Sequence, residues 1–531
     1  MHRQISKIRS SWTLSLALFV LAGIWTSSAH GQLLGEISFP NSGSEAAQED
    51  FIAGVLYLHN FEYEDARDAF LRAQATDPAF ALAYWGEAMT HNHPIWMQQD
   101  REAGLEAMSG LAETPAERRT KAGGTREAAY LETLEILYGT ALTAELSKEE
   151  RDDRYREALR RLHETYPEDD EAAAFYALSI LGSAHEGRDF AAYMRAAAVA
   201  DTVWTRNDQH PGAAHYLIHS FDDPIHAPLG LPMARTYAKI APAAAHAQHM
   251  TSHIFVALGL WQDVIDANVI ASKVQNDGFA DRGRSPRLCG HYPYWLEYGY
   301  LQLGRHEDAQ KVLAACAESI DESTEDGERW HLGAMRARYL IDTGSWAEAD
   351  ALLPRDLDVS TSSVNFAFAE ALRGHYVGDQ EAVDKGLERL RAVEEGFEAE
   401  EAAVLALELE GLSLLQTDPV AAVEALRQAE AVEGDMPYSF GPPAIVKPAS
   451  ELLGEVLLQL GRADEAVDVF QAQLQRTPGR VAARLGLARA AQAANRASLA
   501  AETYGDLVTQ SEAAAAKPEW LEEARSGQRE R

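Results

Sequence analysis

Residues 54–78 read GVLYLHNFEYEDARDAFLRAQATDP, and the offsets inside this stretch decide the fold. Gly54, Tyr57, Ala66, Phe70, Ala73 and Pro78 set small against large apolar side chains in the order expected of two antiparallel helices joined by a tight turn. Pro78 closes the second helix, because proline lacks the backbone donor and clashes with the turn before it. The pattern returns near the far end as Gly454, Leu457, Gly461, Ala466, Phe470 and Pro478. A hairpin of this kind cannot bury its apolar face alone and has to stack on copies of itself.

The unit resembles the tetratricopeptide repeat. That resemblance implies an all-α, right-handed α-solenoid of stacked antiparallel helix pairs, with the first helix of each pair lining a concave groove. Strand signals are nearly absent, since no sustained apolar/polar alternation occurs.

Working outward, the N-terminus has the form of an export signal. Arg3, Lys7 and Arg9 precede the apolar run Trp12–Trp25, and Ala29-His30-Gly31 supplies small residues for cleavage. The run is shorter than the roughly 20 residues a membrane span needs. We therefore read 1–31 as a signal peptide, 32–49 as a flexible lead-in and 50–434 as the solenoid. Within the solenoid, 100–124 reads as a polar insertion and 210–253 as a histidine-rich groove. A Pro/Gly-rich loop follows at 435–448, a C-terminal repeat pair at 449–510 and a charged, fraying tail at 511–531. The expected location is periplasmic or secreted, with no membrane span after cleavage.

The 531-residue chain carries 47 Lys and Arg against 82 Asp and Glu, a formal charge of -35. Nucleic-acid binding needs phosphate neutralisation, so this balance argues against it. Cys289 and Cys316 fall at the two ends of one helical hairpin. In an oxidising compartment they are either a disulfide or two buried thiols, and sequence alone leaves both open.

Histidines concentrate between 210 and 253. On a helix over 245–258, residues advance about 100° each, which gathers His246, His249 and His253 on one face. His215 and His219 share a face of the 213–221 helix, and Asp222 continues it. Three readings compete: an internal hydrogen-bonded network, a polar groove for a ligand, and a metal site. Two histidines four apart on a helix are a known ligand spacing. For a metal, His215, His219 and His249 are the expected ligands, with Asp222 as fourth ligand or its support, and Zn or Cu as the candidate ions. An open position on such a metal would permit hydrolysis with Asp223 or Glu186 as base. The zinc-protease motif is absent, because Tyr216 follows His215. No other catalytic motif is present, so catalytic residues stay unassigned.

For a ligand groove, His246, His253, His291, Tyr294, Trp295, Tyr298, Trp85 and His93 are the expected wall. Aromatic stripes of this kind suit a protein or peptide partner or a small apolar ligand. The segment 215–261, with Phe221-Asp222-Asp223-Pro224, Ala241-Pro242 and His249-Met250-Thr251-Ser252-His253-Ile254, is similar to a subgroup of exported bacterial tetratricopeptide proteins. Gly441-Pro442-Pro443 and Lys447-Pro448 strengthen the similarity.

Overall fold

The computed structural model describes residues 33–140, 143–321, 324, 326–352, 363–396, 398–513 and 516–529. The leader read over 1–31 lies outside them. Among the described residues the chain is an all-α solenoid of 25 α-helices, with two short strands, Asn92–His93 and Gln98–Gln99, as its β-structure. No described helix is long and apolar enough to cross a membrane.

The repeat unit is held by an interlock. Phe70, on helix Tyr63–Thr76, lies between Gly54 of helix Gln48–His59 and Gly86 of helix Ala81–Met89. A Cβ at Gly54 or Gly86 would stand 2.7 or 2.2 Å from the Phe70 ring. Phe470 is gripped the same way by Gly454 and Gly486, at 2.7 and 2.3 Å. The fold is therefore tetratricopeptide-like, because the same ring-between-glycines joint is made at both ends of the chain.

Turns within hairpins use a left-handed residue. Gly259, Gly304 and Gly461 take it at φ of 69°, 65° and 73°. The equivalent place in the first hairpin is Phe61, at φ 55°. A phenylalanine there is sterically disfavoured, and such outliers persist where surrounding contacts hold them.

The superhelix curves far enough that distant units touch. Trp261 donates its indole N–H to the Gly479 carbonyl at 3.1 Å, and Val481 N–H donates to Gln302 Oε1 at 3.0 Å. Arg282 pairs with Glu64 at 3.1 Å and also with Asp65, joining the first repeat to the end of helix Trp261–Asp281. The inner face is thus largely filled by its own side chains rather than left as an open trough.

Several expectations need correction. Residues 33–47 are packed: Leu34 and Phe39 are buried, and Ser42 donates through its N–H and hydroxyl to Glu127 at 2.6 and 2.8 Å. The stretch 100–124 folds as helices Arg101–Leu111 and Pro115–Lys121. Gly104 is a close-packing site rather than a turn, since it lies flat under Tyr138. The tail forms helix Leu521–Arg529 with Leu521 and Ala524 buried. The 435–448 stretch is irregular beyond the helix end at Asp435, and it docks inward with Gly441 against Trp295. Cys289 and Cys316 form a disulfide with Cα atoms 4.3 Å apart. This ties the loop leading into His291 to helix His306–Ser319.

Candidate metal centre

Three helices bring six imidazoles together. Pro211–Phe221 carries His215 and His219; Ala245–Leu258 carries His246, His249 and His253; His291 opens His291–Gln302. They sort into two trios, His215/His219/His246 and His249/His253/His291. Within each trio, one ligating atom per residue lies within 4.8 Å of the others. The trios abut, with ring centroids 6.0 Å apart for His219 and His253 and 6.1 Å for His246 and His249.

Hydrogen bonds fix which nitrogen carries the proton on three of the rings. His215 Nδ1 lies 2.7 Å from the His59 carbonyl, which can only accept, so Nδ1 donates and Nε2 keeps its lone pair. His253 Nδ1 donates to the Asp222 carboxylate at 2.6 Å. His249 Nδ1 donates to Asn268 Oδ1 at 2.7 Å. The Asn268 amide is oriented by its own N–H bond to the Val264 carbonyl at 2.8 Å. All three rings therefore present bare Nε2 atoms inward. His249 Nε2 and His253 Nε2 face each other at 3.1 Å, and with both Nδ1 protons already given to acceptors a neutral pair has no proton to place between them. His246 Nε2 stands 3.2 Å from His215 Nε2, and His291 Nε2 stands 2.9 Å from His249 Nε2. His219 Nε2 is buried with no hydrogen-bond partner.

Burial disfavours the charged form of five of these rings. Burial brings His215 down to about 3, despite its bond to the His59 carbonyl. Burial, reinforced by neighbouring imidazoles, also lowers His219, His246 and His249 well below the ordinary histidine range. Aromatic rings supply the walls. Phe61, in its left-handed turn, sets its ring 4.3 Å from His215 and 5.4 Å from His246. Trp96 is 5.9 Å from His246, and Trp295 is 4.8 Å from His249 and 4.4 Å from His253. His291 is the exposed member of the six and marks the mouth, although protein mass around it still lowers its basicity.

A second polar cluster lies immediately behind. His59 Nε2 donates to Glu171 Oε2 at 2.6 Å, and the Tyr216 hydroxyl donates to His59 Nδ1 at 2.8 Å. His210 Nε2 sits 3.3 Å from Glu171 Oε1, and its Nδ1 accepts from the Ala213 N–H at 3.1 Å. Burial alone would raise Glu171; the two imidazoles overcome it and hold the carboxyl at about 2.

The sequence-expected residues are distributed differently from the sequence reading. His215 and His219 meet, but their third partner is His246, while His249 pairs with His253 and His291. Asp222 faces His253 Nδ1, away from the Nε2 atoms. Asp223 is unsuited to act as a base: it pairs with Arg188 at 3.0 Å and His226 at 2.8 Å, and accepts the Ile225 and His226 N–H groups. Glu186 is exposed in the loop after helix Asp170–Leu181.

Trp85 belongs to the core, edge-on to Phe39, Tyr130 and Phe175, so it is not a groove residue. Trp295 and Tyr298 are buried as well, because the 435–448 loop and Arg480 close over them. Tyr294 is half-buried and its hydroxyl accepts from Arg338 at 3.1 Å. His93 stacks on Tyr63 at 3.9 Å. Sequence reasoning missed His59 and Glu171 altogether, and counted His210 within the histidine-rich stretch without giving it a role. The cluster's only local signal is His210-Pro211, a capping residue before a helix-starting proline.

Fold and site together define a helical-repeat solenoid enclosing a histidine cluster. No family model and no curated protein matches the chain. Among solved structures it is similar to the crystal structure of yeast Tom70, at 12% identity, covering 92% of this chain and 97% of that one, with a TM-score of 0.29. It is also similar to the Cut9-Hcn1 hetero-tetramer of the APC/C, at 13% identity and 90% of each chain, with a TM-score of 0.31. A third is the human IFIT1 dimer with PPP-AAAA, at 12% identity, 90% of this chain and 93% of that one, with a TM-score of 0.34. The superpositions are loose, and the fold assignment rests on the glycine-aromatic interlock.

Proposed function

We propose that this protein is an exported metal-binding solenoid whose ligands are the Nε2 atoms of His215, His219, His246, His249, His253 and His291. The observation that carries the reading is the 3.1 Å approach of His249 Nε2 to His253 Nε2 when both Nδ1 atoms are committed to acceptors. Two lone pairs at that distance repel, and a cation in front of them turns repulsion into attraction. Nε2 separations of 2.9, 3.1 and 3.2 Å suit two imidazoles on one ion. At a metal–nitrogen length of about 2.05 Å they correspond to angles of about 90–100°.

The outer contacts have the form that supports metal ligands. A ligating histidine ordinarily gives its other N–H to a carbonyl, amide or carboxylate, and His215, His249 and His253 do so. The leader-like N-terminus and the Cys289–Cys316 pair both suit an oxidising compartment. Hydrolysis is not favoured, since Asp222 and Asp223 are held by other partners. Capture of a peptide by Trp85, Trp295 and Tyr298 is not favoured either, because all three are buried. A protein partner of the repeat scaffold would meet another surface.

The test is elemental analysis of protein made with its own leader and purified without chelators or an affinity tag. Bound metal, lost in the His249→Ala, His253→Ala double variant, is the expected result. If the protein carries none and takes up neither Zn²⁺ nor copper, a proton shared between the two rings is the better account and the reading fails.

A further inference from the structure

We infer that the two trios hold a pair of cuprous ions, one per trio, side by side. The inference rests on the metal-binding reading above and adds the number and identity of the ions. The number follows from the geometry. Each trio is complete, with three imidazole nitrogens within 4.8 Å of one another, and no residue belongs to both. The unpartnered His219 Nε2 lies in one trio and the facing lone pairs of His249 and His253 lie in the other. A single ion would leave one of these two faults unrelieved.

The identity follows from charge. All six donors are imidazoles; no carboxylate, thiolate or phenolate belongs to either trio. Two carboxylates touch the trios from outside: Asp222 stands behind His253, and Glu62 accepts the backbone N–H of His246 at 2.9 Å. The cost of burying an ion rises with the square of its charge, so a divalent ion costs about four times a monovalent one of similar size. Two divalent ions would place four positive charges among Phe61, Trp96, Trp295 and the imidazoles, with no anion among their ligands. Two monovalent ions halve that charge. Among metals that accept imidazole, copper offers a monovalent state, and three nitrogen ligands satisfy it without a fourth.

Ligand type and wall chemistry agree. Phe61 occupies a turn position that Gly259, Gly304 and Gly461 fill in other hairpins, and its ring covers His215, His219 and His246. An apolar lid over a nitrogen trio excludes the water that a divalent ion would take as a further ligand.

The experiment is an anaerobic titration of the full-length apo protein with Cu⁺ against a chromogenic cuprous chelator, repeated with equimolar Zn²⁺ present. Two equivalents of copper retained per chain, unchanged by zinc, is the expected result. His291→Ala removes one ligand at the exposed mouth, so folding is least disturbed there. It should cut tight copper to about one equivalent with the circular dichroism unaltered, and His219→Ala should do the same from the other trio. One equivalent in the wild type, retention of both in His291→Ala, or displacement of copper by zinc overturns the inference while leaving a metal-binding protein. Absence of any metal uptake overturns both readings.

Discussion

Two histidine clusters share one wall of this molecule and differ in how their nitrogens are used. Around Glu171 each ring nitrogen faces a group of complementary chemistry, although His210 Nε2 and Glu171 Oε1, 3.3 Å apart, make no hydrogen bond. His59 gives a proton to the carboxylate and receives one from Tyr216, and His210 accepts a backbone N–H and turns its other nitrogen to Glu171. In the neighbouring trios imidazole nitrogens face one another, and His219 Nε2 is buried without a hydrogen-bond partner. His59 belongs to both: its side chain completes the first cluster, and its carbonyl sets the tautomer of His215 in the second. Burial is equal, and the difference lies in what the nitrogens face: a carboxylate or hydroxyl in the first cluster, another imidazole in the second. Buried polar groups are ordinarily paired, and the exceptions call for an explanation.

The sharpest difference should appear in acid. His215 stays neutral down to about 3, and burial lowers His219, His246 and His249 in the same direction. A folded-state value below the ordinary 6.5 means that protons compete with metal only as pH approaches the lowered value. Three unperturbed histidines would lose about 30-fold each between pH 7.5 and pH 5, roughly 10⁴ in total. Metal affinity of the His215/His219/His246 trio should instead change little over that window. A fall of several orders of magnitude, measured by competition titration at both pH values, would show that the rings are ordinary bases. The same neutrality costs apo stability below pH 6.5, where the unfolded chain gains protons that these rings refuse.

Breaking the satisfied cluster should cost stability and leave metal alone. In Glu171→Gln the amide can accept from His59 but turns an N–H toward His210, so one buried donor loses its acceptor. Removing one side of a buried charged contact costs about 3–5 kcal/mol. Urea unfolding should register that loss. Bound metal should be unchanged, because His215 is aligned by the His59 backbone rather than by its ring. Loss of metal with unaltered stability would reverse the roles given to the two clusters.

The same contrast explains what could be read in the chain beforehand. The interlock of Gly54 with Phe70 is local, and so are the stripes His215/His219 and His249/His253, each set by helical spacing. The partition into trios is not local. It depends on curvature that carries His59 and Phe61 to His215, over 156 residues in the case of the His59 carbonyl, and His291 to His249 over 42. Trp295 and Tyr298 read as groove walls because nothing near them in sequence shows that Gly441 and Arg480 will close over them. The packing role of Gly104 was not legible, because a glycine that makes room for a ring looks the same in sequence as one that bends the chain.

The smallest effect expected is also the most selective. Asp222 touches the open site through one atom, accepting the His253 Nδ1 proton at 2.6 Å, and is not itself a ligand. In Asp222→Asn the amide can still accept through its oxygen, so the His253 ring keeps its tautomer while losing the carboxylate's charge. A carboxylate behind a ligating imidazole raises its basicity, and removing such a partner typically costs 10- to 100-fold in metal affinity. Asp222→Asn should therefore weaken one of two metal equivalents by that factor. The equivalent held by His215, His219 and His246 should keep its affinity, and the Glu171 network should keep its stability. Equal weakening of both equivalents would mean that the trios act as one site. No weakening at all would mean that the carboxylate serves only the C-terminus of helix Pro211–Phe221, where it is the capping residue.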